Sequence, residues 1–194
     1  MTTPADVLSF WFGQPGDAEY LQSRAIWFRK SAQFDAEVRS RFGGAVDAAL
    51  AGELGAWSET RNDPAHGTLA LILLLDQFTR NIYRDTAQAF AGDAQARALA
   101  VRAIDAGWNL KLAPIERMFT YLPFEHSESL RDQYEAVWLF EQLAAAGMPD
   151  QLPWSQKHFE VIRRFGRFPH RNEILGRTST AEELAFLAQP GSRF

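Results

Sequence analysis

From Leu69 to Leu75 the chain is apolar on every side of a helix, inside a longer helical stretch that runs from His66 to Asn81. A helix that is hydrophobic all round must be enclosed by other elements, so this stretch predicts the centre of the fold. The run is far short of the ~20 apolar residues needed to span a bilayer. Its character then changes abruptly at Asp76, Gln77, Arg80 and Asn81. Asp76 and Arg80 stand four apart, in the favourable acid-first order. A buried helix thus delivers charged groups at its end, where they need partners.

Helix signals surround this centre and strand signals hardly occur. Thr3-Pro4-Ala5-Asp6 combines an N-cap, a proline at the first helical position and an acid in the first turn. Phe34, Val38 and Phe42 recur at helical spacing and continue through Val46 and Leu50, with Gly43-Gly44 as a place to kink or divide the helix. Asp93 is a candidate cap for a helix reaching Ala106. Pro114 opens a short helix that Pro123 is expected to halt. Ser127 or Ser129 starts the next, with Leu130, Tyr134, Val137 and Trp138 as its apolar face. Another is expected from about Trp154 to Phe165, and Thr180-x-x-Glu183 is a capping box. The expectation is an all-α protein of eight or nine short helices, a single domain over residues 1–194, with short connections that favour antiparallel helical hairpins.

Composition narrows the classes. A net charge of −4 argues against a general nucleic-acid-coating protein, although residues 150–177 hold six Lys/Arg against three Asp/Glu. The chain has no cysteine, so it has neither disulfides nor thiolate metal sites. With no signal-peptide pattern at the start and no membrane span expected, the reading is a soluble, cytoplasmic protein. No Walker loop, Rossmann glycine pattern, nucleophile elbow or EF-hand occurs.

Three polar clusters carry the candidate chemistry. The first is Asp76, Gln77, Arg80, Asn81 and Arg84; the second is Glu125, His126, Ser127 and Glu128 after Pro123-Phe124. The third joins His158 to the segment Arg167-Phe168-Pro169-His170-Arg171-Asn172. Arg167 and Arg171 offer planar forks suited to carboxylate or phosphate. The structural alternative is that they clamp Asp76, Glu125 or a helix C-terminus. His158 shares a face with Ile162 and Phe165, which also reads as a neutral core imidazole. Glu125, His126, His158 and His170 are possible ligands, but no pair has a helical metal-binding spacing, so neither a metal nor a cofactor is expected.

Val7-Leu8-x-Phe10-Trp11-Phe12-Gly13, Leu75-Asp76-Gln77-Phe78-x-Arg80-Asn81 and Leu122-Pro123-Phe124-Glu125-His126-Ser127-Glu128 follow one another in order. With His158, Phe165–Asn172 and Leu175-Gly176-Arg177-x-Ser179-Thr180 they resemble the bacterial domain-of-unknown-function family 924. The resemblance spans nearly the whole chain. It implies an all-α, tetratricopeptide-like right-handed array of helical hairpins, and it implies no activity.

The functional expectation is one polar pocket for a small anionic ligand or an acidic peptide, with Arg80, Arg167 and Arg171 on the anion. Asn81 and Asn172 would orient it, and His158 belongs to the same set. The rival is a hydrolase or lyase with His126 or His170 as general base and Glu125 as its orienter. A third reading is a buried ion-pair network that sets helix register. The oligomeric state cannot be read from the sequence.

Overall fold

The enclosed helix is the axis of the main core. A computed structural model describes residues 1–192, and among these there is no strand. The helical segments are α1 (Pro4–Phe12), α2 (Ala32–Leu50), α3 (Pro64–Ile72), α4 (Thr79–Ile82) and α5 (Asp93–Asp105). They continue with α6 (Pro114–Glu125), α7 (Leu130–Ala145), α8 (Leu152–Phe165) and α9 (Ala181–Leu187). A π-helical stretch, Leu73–Phe78, joins α3 to α4, so those pieces form one rod and the described chain has eight rods.

No residue from 69 to 75 is more than 3% exposed. Each buried Leu or Ile there contributes about 1.5–3 kcal/mol relative to exposure. The helices α1, α2, α5 and α6 all pack on the rod. Trp11 of α1 sits 5.2 Å from Phe78 of the rod and meets Phe119 of α6 edge-on at 5.5 Å. Such aromatic pairs add about 0.5–1.5 kcal/mol beyond the area they bury. The C-terminal helices form a smaller second core of Val161, Ile162 and Phe168, closed by Phe165 and Phe186.

The caps expected at both ends of the chain are present. Thr3 accepts from the Asp6 N–H and Asp6 accepts in return from the Thr3 N–H; Thr180 and Glu183 do the same before α9. The Gly43-Gly44 pair does not divide α2, which runs unbroken for 19 residues. Asp93 is the first residue of α5 rather than its cap, because Gly92 takes the cap position.

Three further features differ from the sequence reading. Helix α6 passes through Pro123 and ends at Glu125. Proline removes one N–H and crowds one carbonyl of the preceding turn, and the near-complete burial of α6 outweighs that loss. The expected apolar face of α7 is largely at the surface: Leu130, Tyr134 and Trp138 are 41%, 60% and 52% exposed. The buried face is Gln133, Ala136, Leu139, Phe140 and Leu143. Two apolar stripes share this helix, and α6 and α8 cover the other one. The π stretch has no counterpart in the sequence reading.

Candidate functional site

The π stretch places Asp76 in the interior with 0% exposure. Side chains one turn on reach back to this stretch: the Thr79 hydroxyl donates to the Leu75 carbonyl at 2.8 Å and Arg80 Nη1 donates to the Asp76 carbonyl. Single-turn π segments of this kind occur often at functional sites. Gly92 lies against the Leu75 carbonyl so closely that a Cβ there would collide with it. That contact brings the start of α5, and with it Asp93, to the charged end of the rod.

Around Asp76 the partners are specific. Its Oδ1 meets His126 Nδ1 at 2.7 Å and Arg80 Nη1 at 3.2 Å, and its Oδ2 accepts from Gln77 Nε2 at 2.6 Å. Burial pushes this carboxyl up, but the charge of Arg80 and the hydrogen bonds from His126 and Gln77 overcome it. The result is a carboxylate held well below its ordinary range. Arg80 continues to Asp93 at 2.9 Å, and Asp93 in turn accepts from Arg171 at 3.3 Å. Arg171 lies against the rings of Phe90 and Phe168, 4.6 and 4.5 Å from their centroids. Burial, then the neighbouring Arg80 charge, brings its pKa down to about 10.

His126 is the C-cap of α6, so the passage of α6 through Pro123 is what carries it to Asp76. Buried Gln133 of α7 donates to the carbonyls of Glu125 and Ser127 at 2.7 Å each, tying that end of α6 to its neighbour. Burial, against the pull of Asp76, lowers the His126 pKa, so the neutral ring is favoured. With the Nδ1 proton donated to Asp76, the lone pair lies on Nε2. Among the described residues no hydrogen bond reaches Nε2, and that nitrogen is not sealed from solvent.

Beside this pair lies a second one. Glu125 Oε1 is 3.2 Å from His158 Nδ1, which also donates to the Trp154 carbonyl at 2.9 Å. Burial, with the negative charge of Asp76 added, raises Glu125 to about 8. Burial lowers His158 to about 3, so both members are neutral at pH 7. The rings of His126 and His158 are 6.4 Å apart.

Of the residues singled out in the sequence, Arg80, Arg171, Glu125, His126 and His158 come together here. His170 stands at the margin, its ring 5.6 Å from Phe168, which in turn meets His158 edge-on at 5.6 Å. The other three are engaged in different contacts. Arg167 forks onto Glu183 of α9 at 2.6 and 2.8 Å, Asn172 donates to Ser179, and Asn81 donates to Asp35 of α2 beside Arg84. The partner of His126 is Asp76, whereas Glu125 pairs with His158. Two contributors carry no such signal in the sequence: Asp93, which reads there only as a cap, and Phe90. Among the described residues no three His, Asp or Glu side chains gather in a group able to hold a metal.

Residues 7–191 match the family model for bacterial proteins of unknown function, DUF924. A solved structure of a protein of unknown function from Agrobacterium tumefaciens is 39% identical, covering 95% of this chain and 96% of that one, with a TM-score of 0.82. No curated protein matches the chain. The chain belongs to the DUF924 family.

Proposed function

We propose that Asp76 and His126 are the core of a general acid–base site, in an enzyme of the hydrolase or lyase class. One observation carries this reading: His126 is held through Nδ1 at 2.7 Å by a carboxylate while its Nε2 keeps solvent access and makes no hydrogen bond among the described residues. That is the arrangement of a general base whose tautomer and orientation are set from behind. Asp76 is then a positioning residue. Glu125, protonated at neutral pH, is the matching acid, since paired groups with opposed pKa shifts commonly divide these roles. Two buried atoms of the cluster, Glu125 Oε2 and Arg171 Nε, make no hydrogen bond among the described residues, the state expected of groups kept for a ligand or ordered water. We assign Arg171 to an anionic group of the substrate, and we place the protein in the cytoplasm.

A second reading is favoured by the charge balance. Arg80 and Arg171 are matched by Asp76 and Asp93, and Arg167 is matched by Glu183, as in a structural network that sets helix register. In that case the tetratricopeptide-like array would act as a scaffold for a peptide partner.

Turnover assays separate the two. A panel of carboxylate- and phosphate-bearing esters and amides is offered to the wild type and to His126→Gln, with circular dichroism as a check on folding. The expected result is activity in the wild type, lost in the variant, with an alkaline limb near pH 8 from Glu125. In parallel, diethyl pyrocarbonate should acylate His126 and spare His158. Activity unchanged by His126→Gln, or a His126 that resists acylation at every pH, overturns the acid–base reading.

A further inference from the structure

The surface of α7 carries an apolar stripe that the described residues leave uncovered. Tyr134 and Trp138 are more than half exposed, and the flanking Leu130 is 41% exposed. Single exposed apolar residues need no explanation, but a row of aromatic residues along one helix face marks an interaction surface. The neighbouring helix widens it: Phe159 of α8 packs on Tyr134 at 4.9 Å, and Trp154 at the start of α8 is 54% exposed.

The sequence of this face says what fits it. Arg131, Tyr134, Trp138, Glu141 and Ala145 are all exposed and follow the alternating three-and-four spacing of a coiled-coil seam. Arg131 and Glu141 are equidistant from Ala136, and so are Tyr134 and Trp138. A second α7 laid antiparallel about a two-fold axis at the level of Ala136 therefore sets Tyr134 of each copy against Trp138 of the other. The same operation sets each Arg131 against a Glu141. Among the described residues neither Arg131 nor Glu141 takes part in a salt bridge within the chain. The face is thus self-complementary in shape class and in charge, as an isologous interface must be. Aromatic residues at the centre and charges at the rim are also the usual composition of such contacts.

We propose that this face is covered by a second copy of the chain, α7 packing antiparallel on α7 in a two-fold dimer. The inference stands on the surface alone and is independent of the acid–base reading.

Sedimentation equilibrium of the full chain, from micromolar to near-millimolar protein, tests it. The wild type should be a dimer that dissociates on dilution. Trp138→Glu should weaken the dimer by about thirtyfold or more, as loss of a central aromatic anchor does. Circular dichroism should stay unchanged, because the side chain is exposed. Arg131→Glu and Glu141→Arg should each weaken association by opposing like charges, and the double variant should restore it. The restored double variant is specific to this register. A wild-type monomer at the highest concentration overturns the proposal. So does a dimer indifferent to Trp138→Glu, which would use another face, or a double variant no better than the single ones.

Discussion

Asp76 and Glu125 are both buried carboxyls, 0% and 4% exposed, and they end up in opposite protonation states. Asp76 sits in the π stretch of the rod, where an imidazole, a guanidinium and a carboxamide converge on its two oxygens. Glu125, at the last turn of α6, has an imidazole at 3.2 Å that already donates to the Trp154 carbonyl, and its Oε2 makes no hydrogen bond among the described residues. Burial acts the same way on both. The donors decide the outcome, and the ionised Asp76 then helps to keep the proton on Glu125. The two regions therefore act as a coupled pair, with the charge placed at one and excluded from the other.

The contrast breaks most sharply at Asp76→Asn. The variant keeps the shape and removes the charge, leaving Asp93 as the carboxylate of Arg80 among the described residues and taking the carboxylate from His126. Loss of one member of a buried ion pair costs about 3–5 kcal/mol, so a fall of that size is expected in urea denaturation. The pKa of Glu125 should also fall in the variant, since the Asp76 charge is one cause of its rise. A loss below about 1 kcal/mol, the value for exposed pairs, would mean that Asp76 is not a paired buried charge.

Glu125→Gln sharpens the contrast from the other side. A carboxyl whose folded pKa of about 8 stands above its ordinary value of 4.5 binds more protons in the folded state. Its stabilising effect is present at low pH and is lost as pH rises through that window. The wild type should lose on the order of 3 kcal/mol relative to the variant between pH 5 and pH 8. Near pH 5 the two should be alike, and at pH 8 Glu125→Gln should be the more stable. Parallel stability curves across that range would show that Glu125 ionises normally.

Much of this arrangement is written locally in the chain. The enclosed rod follows from Leu69 to Leu75, and the caps at Thr3 and Thr180 follow from the residues beside them. Arg80 and His126 are visible as chemistry because polar groups at the end of an apolar helix need partners. Other pairs of the cluster lie far apart along the chain: Asp76 meets His126 across 50 positions, and Asp93 meets Arg171 across 78. No local pattern encodes such pairs. The π stretch is invisible for a related reason, since the tertiary contacts that surround it, including the approach of Gly92, involve residues outside the segment. Which face of α7 is buried is not legible in the sequence, because two apolar stripes compete and only the positions of α6 and α8 choose between them.

Gly92 is where the backbone holds the contrast in place. Gly92→Ala puts a Cβ into the Leu75 carbonyl, so the start of α5 must withdraw from the rod. Overpacking of this kind typically costs about 1–3 kcal/mol. Asp93 would withdraw with it, loosening its contacts to Arg80 and Arg171. Thermal melts of Gly92→Ala, Asp93→Asn and the double variant test this. The combined loss should be less than the sum of the single ones, because both changes act on the same contact. Strict additivity would separate Gly92 from the ion network.

The smallest effect extends the contrast from acids to bases. His66 and His158 each have a Glu oxygen close by, at 3.3 Å and 3.2 Å. The hydrogen bond to Glu116 raises His66 to about 9, with burial opposing it and Asp63 adding to the rise. His158, by contrast, is lowered to about 3 by burial. One His66 nitrogen faces each carboxylate, so both protons of a charged ring are used; the His158 proton on Nδ1 goes to a backbone carbonyl instead. The stability from His66 is present below the ordinary histidine value of 6.5 and is lost as pH rises through about 9. That from His158 is lost as pH falls from 6.5 towards 3. His66 is partly exposed, so solvent screening should hold the cost of His66→Asn at pH 6 to about 1 kcal/mol or less. Ring-proton NMR titration reads both groups in one experiment, with midpoints expected near 9 and near 3. A common midpoint near 6.5 would mean that neither the carboxylates around His66 nor the burial of His158 controls its charge, and the account of Asp76 and Glu125 would fail for the same reason.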